Sequence, residues 1–483
     1  GCARALRRLS WPPSCYARGA MTDTTDYLII GAGAMGLAFA DELLTRTDAT
    51  MTIVDKRAAP GGHWNDAYAF VKLHQPAIFY GVESLSMGRD RVETCGPNKG
   101  FMELAEGPEI LAYFHALMRD RLLASGRVTY KPLTEAREDG ALRHLLSGEE
   151  CRIDVRRKIV DATWYENAVP ATHGPKFQVD PGAWVVPPND LPRLAAKAKR
   201  FIVVGAGKTG VDACIWLLEN AVAPERLSWI VPRDPWFLNR RYTQPGPEFF
   251  ESTFANFAAQ RRAIAEAADA DALCRNMEAC GAWLRLDDEV WPTLFHAATI
   301  SEGELALLRS IDTIVRGRRV AHAEPTRLIF DDATTLETGP DTLIIDCTAT
   351  ALPVRALKPV FEPGRITLQM TRFPMLPFSA ALAAFLEASF DSDEEKNAFA
   401  QPLPLTDTVD DFIAGLGADM MNRYACSQHR AVRDWVGRSR LDGYSKIARD
   451  IPKDDEARQA ILKDVGAAAM AAAGNLGRLT GQG

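Results

Sequence analysis

Short blocks of apolar residues followed by glycine recur along the chain, and the first block predicts a buried strand that opens into a helix. Residues 27–30 (Tyr-Leu-Ile-Ile) end abruptly at Gly31. Apolar residues then recur at helical spacing up to Thr45, and a second apolar run, 51–54, ends in Asp55. A continuous apolar run bounded by glycine is typical of a parallel strand buried on both faces. The pattern therefore predicts a β-α-β unit.

The same pattern returns in the middle of the chain. Residues 201–204 lead into Gly205, an apolar helix follows through Leu218, and 227–231 form the next strand. Two further apolar runs each predict a strand that closes one sheet: 158–160 before Asp161-Ala162-Thr163, and 343–345 before Asp346-Cys347-Thr348. The predicted fold class is therefore α/β, with two dinucleotide-binding, Rossmann-like domains.

The order of these segments predicts that the second domain is inserted in the first. The first domain is expected to span 21–195 and to be completed by 355–404, and the second to span 196–354. Residues 246–310 are Ala-rich with a helical pattern, which predicts a helical insertion within the second domain. Residues 405–483 predict a helical C-terminal region.

The first residues of the chain differ from the rest. Residues 1–20 carry arginines and no acidic residue, and Met21 follows. Such a composition is typical of a mitochondrial presequence, but Pro12-Pro13 would interrupt its amphipathic helix. The favoured interpretation is that Met21 is the start and that residues 1–20 are upstream translation or a disordered lead. A cytoplasmic location is then expected, and a mitochondrial one is the alternative if residues 1–20 are a presequence.

Composition and charge narrow the classes of function. The chain has 483 residues, 47% of them hydrophobic and 25% charged, with a net charge of −7. These values predict a globular protein without affinity for nucleic acid or an anionic membrane. The longest apolar stretches, such as 466–473, are too short to span a bilayer. Nine scattered cysteines with no C-x-x-C, and histidines without ligand spacing, predict neither a disulfide framework nor a metal site.

The first glycine set, Gly31-Ala32-Gly33-Ala34-Met35-Gly36, follows a strand and opens a helix. Gly31 permits the tight turn, Gly33 lets the backbone approach a pyrophosphate, and Gly36 lets the helix pack closely on the strand. The N–H groups at the helix start, where Ala34 and Met35 lie, favour phosphates. Asp55 ends the second strand, where an acid accepts hydrogen bonds from ribose hydroxyls, and Lys56 lies beside it. This set predicts a dinucleotide site, and the alternative is that the glycines serve only a tight turn.

The second glycine set is Gly205-Ala206-Gly207-Lys208-Thr209-Gly210. An ATP-binding phosphate loop would need a glycine at position 202, which is Ile, so a second dinucleotide site is predicted. Arg233 follows the next strand, where a cation can bind the 2′-phosphate of NADP(H). NAD(H) is the alternative cofactor, and Arg233 is alternatively a solvated charge or a partner of Asp234. Thr348, in the second strand-end turn, is also expected to contact a cofactor.

Two different dinucleotide sites in one chain have a common explanation: one site holds FAD and the other delivers a hydride from NAD(P)H. The flavin would then supply the chemistry, and the protein would supply binding and orientation.

The segment Pro60-Gly61-Gly62-His63-Trp64, followed by 71–76 (Val-Lys-Leu-His-Gln-Pro), sharpens this prediction. Here the chain resembles the flavin-containing monooxygenase and Baeyer–Villiger monooxygenase group, in which a G-G-x-W segment lies along the flavin. The resemblance covers roughly residues 26–385 in overall order. It implies that Gly62, His63 and Trp64 line the cofactor. By position, it also implies that Leu73, His74 and Gln75 approach the flavin ring.

The chain departs from this group at two motifs. The linker F-x-G-x-x-x-H is missing before the second glycine set, where residues 170–177 read PATHGPKF. The A-T-G turns are altered to 161–164 (DATW) and 347–350 (CTAT). The chain is therefore identified as a divergent member of the group.

The function expected from these features is that of an FAD-containing, NAD(P)H-dependent oxidoreductase, monooxygenase-like, acting on a small organic molecule with oxygen as acceptor. One alternative is a reductase or dehydrogenase with another acceptor, and another is a catalytically idle redox sensor that binds both cofactors. His74 is the candidate catalytic residue, as a hydrogen-bond donor or acid/base group at the flavin. The alternative for His74 is a partly buried side chain satisfied by backbone. Substrate and oligomeric state are left open by the sequence.

Overall fold

The computed structural model describes residues 23–137, 140–165, 169–348 and 355–479, which form a mixed α/β protein. Its helices are α1 Ala34–Arg46, α2 Gly107–Leu117, α3 Leu191–Leu194, α4 Lys208–Glu219, α5 Phe250–Glu266, α6 Ala270–Ala279, α7 Glu302–Arg309, α8 Leu376–Ser389, α9 Asp393–Phe399, α10 Val409–Gln428, α11 Arg430–Val436, α12 Tyr444–Asp450 and α13 Glu456–Leu479.

The strands are β1 Asp23–Ile30, β2 Met51–Val54, β3 Val128–Lys131, β4 Thr134–Ala136, β5 Ala141–His144, β6 Glu150–Asp161, β7 Gln178–Val179, β8 Val185–Val186, β9 Arg200–Val204, β10 Leu227–Val231, β11 Trp236–Asn239, β12 Trp283–Arg285, β13 Thr299–Ile300, β14 Thr313–Arg316, β15 Val320–Ala323, β16 Arg327–Phe330, β17 Thr335–Glu337, β18 Thr342–Asp346, β19 Phe361–Glu362 and β20 Arg365–Thr367.

The first sheet has the strand order β19-β20-β6-β1-β2-β3, with the β4-β5 hairpin attached to β6. Strands β20, β6, β1, β2 and β3 run parallel. Tyr27 of β1 is in register with Met51 of β2 and Lys158 of β6. The central strands are apolar because both of their faces are covered, as a parallel sheet requires.

The second sheet, β14-β10-β9-β18-β8, is parallel throughout. All five residues of β10 and of β18 are buried. This sheet lies in sequence between β6 and β20 of the first sheet, so the second Rossmann-like unit is inserted in the first. The predicted fold class is confirmed.

Two short strands ahead of residue 196 pair with strands of the second unit. Strands β7 and β8 precede residue 196, yet β8 pairs with β18, and β7 pairs with β15 of a separate four-stranded sheet. Two-residue strands are too short to leave a hydrophobic pattern, which explains why the sequence does not reveal them. The domain boundaries themselves stay a prediction.

The segment 246–310, predicted as a helical insertion, contains short strands as well as helices. It contains α5, α6 and α7, but it also contains β12 and β13, which flank β11 in a three-stranded sheet. The strands form because aromatic side chains cluster there: Trp283 packs against Trp236 and Phe295 at ring distances of 5.7 and 4.6 Å. Phe412 of α10 also packs on Phe295, at 4.9 Å.

The C-terminal region is helical, as predicted, and contacts both Rossmann-like units. Trp435 of α11 donates a hydrogen bond to Glu42 of α1 at 2.7 Å. The Arg440 guanidinium donates to the carbonyls of Ile78, Tyr80 and Val82. These bonds fix the segment that follows His74 against the C-terminal helices.

Candidate functional site

Each of the two glycine sets forms a turn at the carboxyl end of the first strand of its Rossmann-like unit. Gly31 has φ +105° and Gly205 has φ +119°, a backbone region that favours glycine. A Cβ at Gly36 would lie 2.0 Å from the Gly31 carbonyl oxygen, and a Cβ at Gly210 would lie 2.1 Å from that of Gly205. Helix and strand therefore approach so closely that only glycine fits at either position, as the sequence predicts.

Both turns open a helix that has no acidic residue in its first turn. Gly33 is the N-cap of α1, which begins at Ala34, and Gly207 is the N-cap of α4, which begins at Lys208. Neither helix start receives a side-chain capping bond. The free N–H groups and the positive end of each helix dipole suit a pyrophosphate.

A neighbouring strand ends against each turn in the same way. The Asp161 carboxylate accepts hydrogen bonds from the amide and hydroxyl of Thr163, at 2.9 and 2.7 Å. Asp346 accepts the matching pair from Thr348, at 3.0 and 2.6 Å. The Thr348 hydroxyl is thus held by its own turn. Ala349 and Thr350 of the altered turn at 347–350 lie outside the described residues. Residues 1–20 and Met21, for which the sequence predicts a lead or presequence and a start, also lie outside them.

Asp55 is tied to the first glycine turn. Its carboxylate is 6% exposed and accepts the amides of Ala32 and Arg57, each at 2.7 Å. The hydroxyl of Tyr130, on β3, is buried without a hydrogen-bond partner. Burial and the Asp55 charge raise the pKa of Tyr130, so it stays a neutral donor. A hydroxyl without a hydrogen-bond partner near an acidic side chain is suited to bind a ribose. Tyr130 is not part of any sequence motif. Lys56 forms an ion pair with Glu135 at 3.0 Å, and the Lys56 side chain is mostly exposed.

The G-G-x-W segment lies against the first glycine turn. The Gly61 amide donates to the Ala32 carbonyl at 2.8 Å, and a Cβ at Gly62 would lie 2.9 Å from the Gly33 Cα. Burial and the Arg57 charge lower the pKa of His63 to about 4, so its imidazole is neutral. Trp64 donates through Nε1 to the Tyr80 hydroxyl at 2.8 Å. The segment therefore forms one wall beside the place where a pyrophosphate would lie.

His74 lies where the two units meet. Leu73 is buried, and its amide donates a hydrogen bond to the Ala105 carbonyl at 3.0 Å. His74 and Gln75 are half-buried. Burial and the positive charges of Lys208 and Arg240 hold the pKa of His74 well below its usual range. Its imidazole is therefore neutral at physiological pH and lies near Lys208, a residue of the second glycine turn.

Lys208 is directed into the protein rather than towards solvent. Its ammonium forms an ion pair with Asp212, one turn along α4, and both side chains are at most 10% exposed. Asp212 also accepts a hydrogen bond of 2.7 Å from the Tyr68 hydroxyl, which belongs to the first unit. Burial raises the pKa of Asp212, and burial together with the Asp212 charge raises that of Tyr68. Tyr68 and Asp212 thus join the two halves. Thr209, next to Lys208, lies on the first turn of α4.

Arg233, at the end of β10, is engaged by the C-terminal region. Its guanidinium binds both carboxylate oxygens of Asp407, at 2.7 and 2.8 Å, and His296 contacts the same carboxylate at 2.8 Å. Asp234, the alternative partner, pairs instead with Arg316 at 3.1 Å. Arg233 is thus held by an acidic partner, which a bound 2′-phosphate would have to replace.

In residues 23–479, outside the gaps given above, no group of three or more His, Cys, Asp or Glu side chains is arranged to hold a metal ion. Over the same described stretches, no helix is long and apolar enough to cross a bilayer.

The fold and its glycine turns define a protein with two Rossmann-like units. A family model described as an NAD(P)-binding Rossmann-like domain matches residues 29–82, which contain the first turn. Over 443 residues, the chain is 40% identical to Uncharacterized protein Rv2000 of Mycobacterium tuberculosis (strain ATCC 25618 / H37Rv), covering 92% of this chain and 82% of that protein. Uncharacterized protein Mb2023 of Mycobacterium bovis matches equally. The chain belongs to the family of these mycobacterial proteins.

Similar solved structures include flavin monooxygenases, the group whose motifs the sequence resembles. Flavin-containing monooxygenase from Stenotrophomonas maltophilia is 17% identical, with a TM-score of 0.43, over 86% of this chain and 99% of that one. Cyclohexanone monooxygenase in an open crystal structure is 15% identical, with a TM-score of 0.49, over 93% and 99%.

Proposed function

We propose that the protein is an FAD-containing, NADPH-dependent oxidoreductase of monooxygenase type that acts on a small organic molecule. The observation that carries the proposal is the pair of glycine turns. Both turns have the same backbone geometry and an uncapped helix start. The second strand of the first unit is followed by Asp55, whereas the second strand of the other unit is followed by Arg233. An acid suits unmodified ribose and an arginine suits a 2′-phosphate, so the two turns favour different dinucleotides.

The residues of the first turn fit the FAD dinucleotide. Gly33 and the helix start would bind the pyrophosphate, while Asp55 and the orphaned Tyr130 hydroxyl would bind the ribose. The 62–64 segment would cover it from the other side. Bound FAD would supply hydride acceptance from NADPH and electron delivery to an acceptor.

The residues between the turns orient the two cofactors. Tyr68 of the first unit and Lys208 of the second are both bound to Asp212, so the buried ion pair fixes the start of α4 relative to the first sheet. His74, neutral and close to Lys208, can donate or accept one hydrogen bond through each ring nitrogen. Because a neutral imidazole keeps one N–H, His74 is suited to donate a hydrogen bond at the reacting edge at physiological pH.

The acceptor distinguishes the monooxygenase from its rival, a reductase that passes electrons elsewhere. We expect NADPH consumption to require air in the wild-type protein, and to need an added acceptor such as ferricyanide under nitrogen. Equal rates in air and nitrogen with an organic acceptor would favour the reductase. A protein that binds flavin but consumes no NADPH in either condition would be a sensor.

His74→Ala tests the catalytic assignment. Flavin content and reduction of the flavin by NADPH should be retained because His74 is part of neither glycine turn, but a larger share of the NADPH consumed should appear as hydrogen peroxide. The measurement is peroxide released per NADPH oxidised. Wild-type peroxide yield together with a lowered melting temperature would make His74 a packing residue.

A further inference from the structure

A hairpin formed by residues 88–105, the linking hairpin, lies between β2 and α2 in the chain and is held together by its own backbone. Val92 and Met102 form an antiparallel bridge. The Glu93 amide donates a hydrogen bond to the Phe101 carbonyl at 2.8 Å. Because the two arms are paired, a displacement of the tip is transmitted to the base.

The base of the linking hairpin is bonded on both sides of His74. The Leu73 amide donates to the Ala105 carbonyl at 3.0 Å. Beyond His74, the Ala77 amide donates to the Glu103 carbonyl, also at 3.0 Å. Leu73, Ala77 and Ala105 are all buried. The hairpin therefore fixes the backbone that carries the candidate catalytic imidazole.

The tip of the linking hairpin docks on the second unit. The Met102 amide donates to the side-chain oxygen of Gln244 at 2.8 Å, and both residues are buried. The Ser301 hydroxyl, at the start of α7, donates to the Pro97 carbonyl at 2.7 Å. A Cβ at Gly303 would lie 2.5 Å from the same carbonyl oxygen, so the contact requires glycine there. One hairpin thus joins the candidate catalytic segment to the second unit.

Arg240, which follows β11, lies at this contact and is fully buried. Its guanidinium donates to the side-chain oxygen of Asn98, at the tip, at 3.2 Å, and to the Thr299 carbonyl at 2.9 Å. It also forms an ion pair with Glu304 of α7. Asn98 is 5% exposed, so water competes little for its bond to the guanidinium. A charge-assisted hydrogen bond in such surroundings is stronger than one at the surface.

The ion pair of Arg240 belongs to the same group of buried charges as the second glycine turn. Burial alone would raise the pKa of Glu304, but the charges of Arg240 and Lys208 outweigh it and hold this pKa below its usual range. The same two cations act on His74. A buried ion pair adds little net stability compared with apolar packing, so the pair indicates one fixed arrangement rather than added stability.

We propose that Asn98 and Arg240 are positioning residues for the reaction, a role that rests on the proposed function. They fasten the linking hairpin to the second unit, and the hairpin in turn holds His74 near Lys208. Neither residue has to touch substrate or cofactor. With the tip released, the hairpin and the segment bonded to its base would become mobile, and the imidazole would lose its fixed position.

Hydrogen exchange of the purified protein tests the link without turnover. Asn98→Ala and Gln244→Leu each break a bond between the tip and the second unit, and each should make amide exchange in residues 71–80 about tenfold faster, because local opening becomes less costly. Asn397→Ala is the matched control, since the Asn397 side chain of α9 bonds both backbone groups of Phe361 at 2.8 and 3.0 Å. Exchange in 71–80 no faster in the two variants than in the control would overturn the proposal.

Peroxide release is a readout that a purely structural role would not move. Asn98→Ala should retain flavin and release a larger share of the NADPH consumed as hydrogen peroxide, as expected for His74→Ala. Arg240→Lys, which keeps a positive charge beside Glu304 but lacks the planar fork, should do the same. In the His74→Ala protein, adding Asn98→Ala should change this share no further, because the hairpin acts through the imidazole. An unchanged share in Asn98→Ala, or additive increases in the double variant, would contradict the positioning role.

The two measurements separate the positioning role from the function on which it rests. A wild-type protein that binds no flavin or oxidises no NADPH would reject the oxidoreductase, whereas faster exchange in 71–80 would still show that the hairpin holds the His74 segment. Normal NADPH oxidation, with exchange and peroxide share unchanged in Asn98→Ala, would reject the positioning role and keep the oxidoreductase.

Discussion

The two glycine turns have nearly the same backbone but different surroundings. In the first, the G-G-x-W segment lies on Gly33, with Gly62 Cα 3.5 Å from a Cβ built there. In the second, nothing lies within 4 Å of a Cβ built on Gly207. A covered turn suits a cofactor that stays bound, and an open turn suits one that exchanges.

The position after the second glycine differs as well. It is Ala34 in the first turn and Lys208 in the second, where the ammonium is paired with Asp212 beneath Tyr68. The same backbone motif therefore has different surroundings in the two units. In the first unit it is covered by the G-G-x-W segment, and in the second unit its Lys208 takes part in a polar contact between the units.

The largest expected effect separates the two turns. Gly33→Val should give colourless protein, because the side chain occupies the space where the pyrophosphate meets the backbone. Gly207→Val should purify yellow but should not be reduced by NADPH. Flavin absorbance and circular dichroism of both variants provide the check. Full flavin occupancy in folded Gly33→Val would show that the first site is misassigned.

The contact between the units is tested by Lys208→Met. Loss of the ammonium leaves the Asp212 carboxylate buried and unpaired, so the free energy of unfolding should fall by about 3 kcal/mol. The control is Lys56→Met, in the first unit, whose exposed pair with Glu135 should be worth less than about 1 kcal/mol. Urea unfolding measures both. Similar small losses would mean that the Lys208 pair does not hold the units together.

Cofactor choice is tested at Arg233. Arg233→Ala should weaken NADPH binding by about 10- to 150-fold and affect NADH little, because NADPH alone has the 2′-phosphate. Asp407→Asn should leave NADPH binding unchanged or tighten it, since it frees the guanidinium. Dissociation constants for both nucleotides decide the matter. An equal loss for NADPH and NADH in Arg233→Ala would remove the NADP assignment.

The smallest effect at neutral pH concerns His63, which covers the first turn and has no counterpart in the second. The unfolded chain binds a proton at His63 near pH 6.5, but the folded protein does so only near pH 4. The unfolded state thus binds more protons in this window, and stability falls as the pH falls through it. His63→Gln should reduce that loss by at most about 3 kcal/mol.

Unfolding at pH 7 and at pH 4.5 compares His63→Gln with His115→Gln, whose imidazole is exposed on α2. The two variants should differ only at the lower pH. Acid sensitivity identical to wild type in His63→Gln would place the protonating group elsewhere.

The local sequence pattern was sufficient to predict the strand, turn and helix that occur in both Rossmann-like units. Each glycine set follows an apolar strand and precedes a helix, so the turn, the helix start and the close approach at Gly36 and Gly210 could all be predicted. The short strands β7 and β8 could not, because two residues carry no periodicity. The strands within 246–310 were missed because aromatic packing overrode an Ala-rich helical pattern.

Contacts distant in sequence limited prediction of the site. Tyr68 meets Asp212 across 144 positions, and Arg233 meets Asp407 across 174. No motif records such pairs, because the tertiary arrangement alone brings them together. Tyr130 was missed for the same reason: it faces Asp55 only because β3 pairs with β2. Motifs identified the backbone of both sites, and the fold was needed for the partners of its charged groups.

The most direct test of the central claim is anaerobic titration of the purified protein with NADPH, followed in the visible flavin band. Two different dinucleotides on the two turns predict a yellow protein whose flavin is bleached by one equivalent of NADPH and recovers its colour in air. NADH should bleach it more slowly at equal concentration. A protein that purifies without flavin and takes none up, or whose bound flavin is not reduced by either nucleotide, would contradict the account.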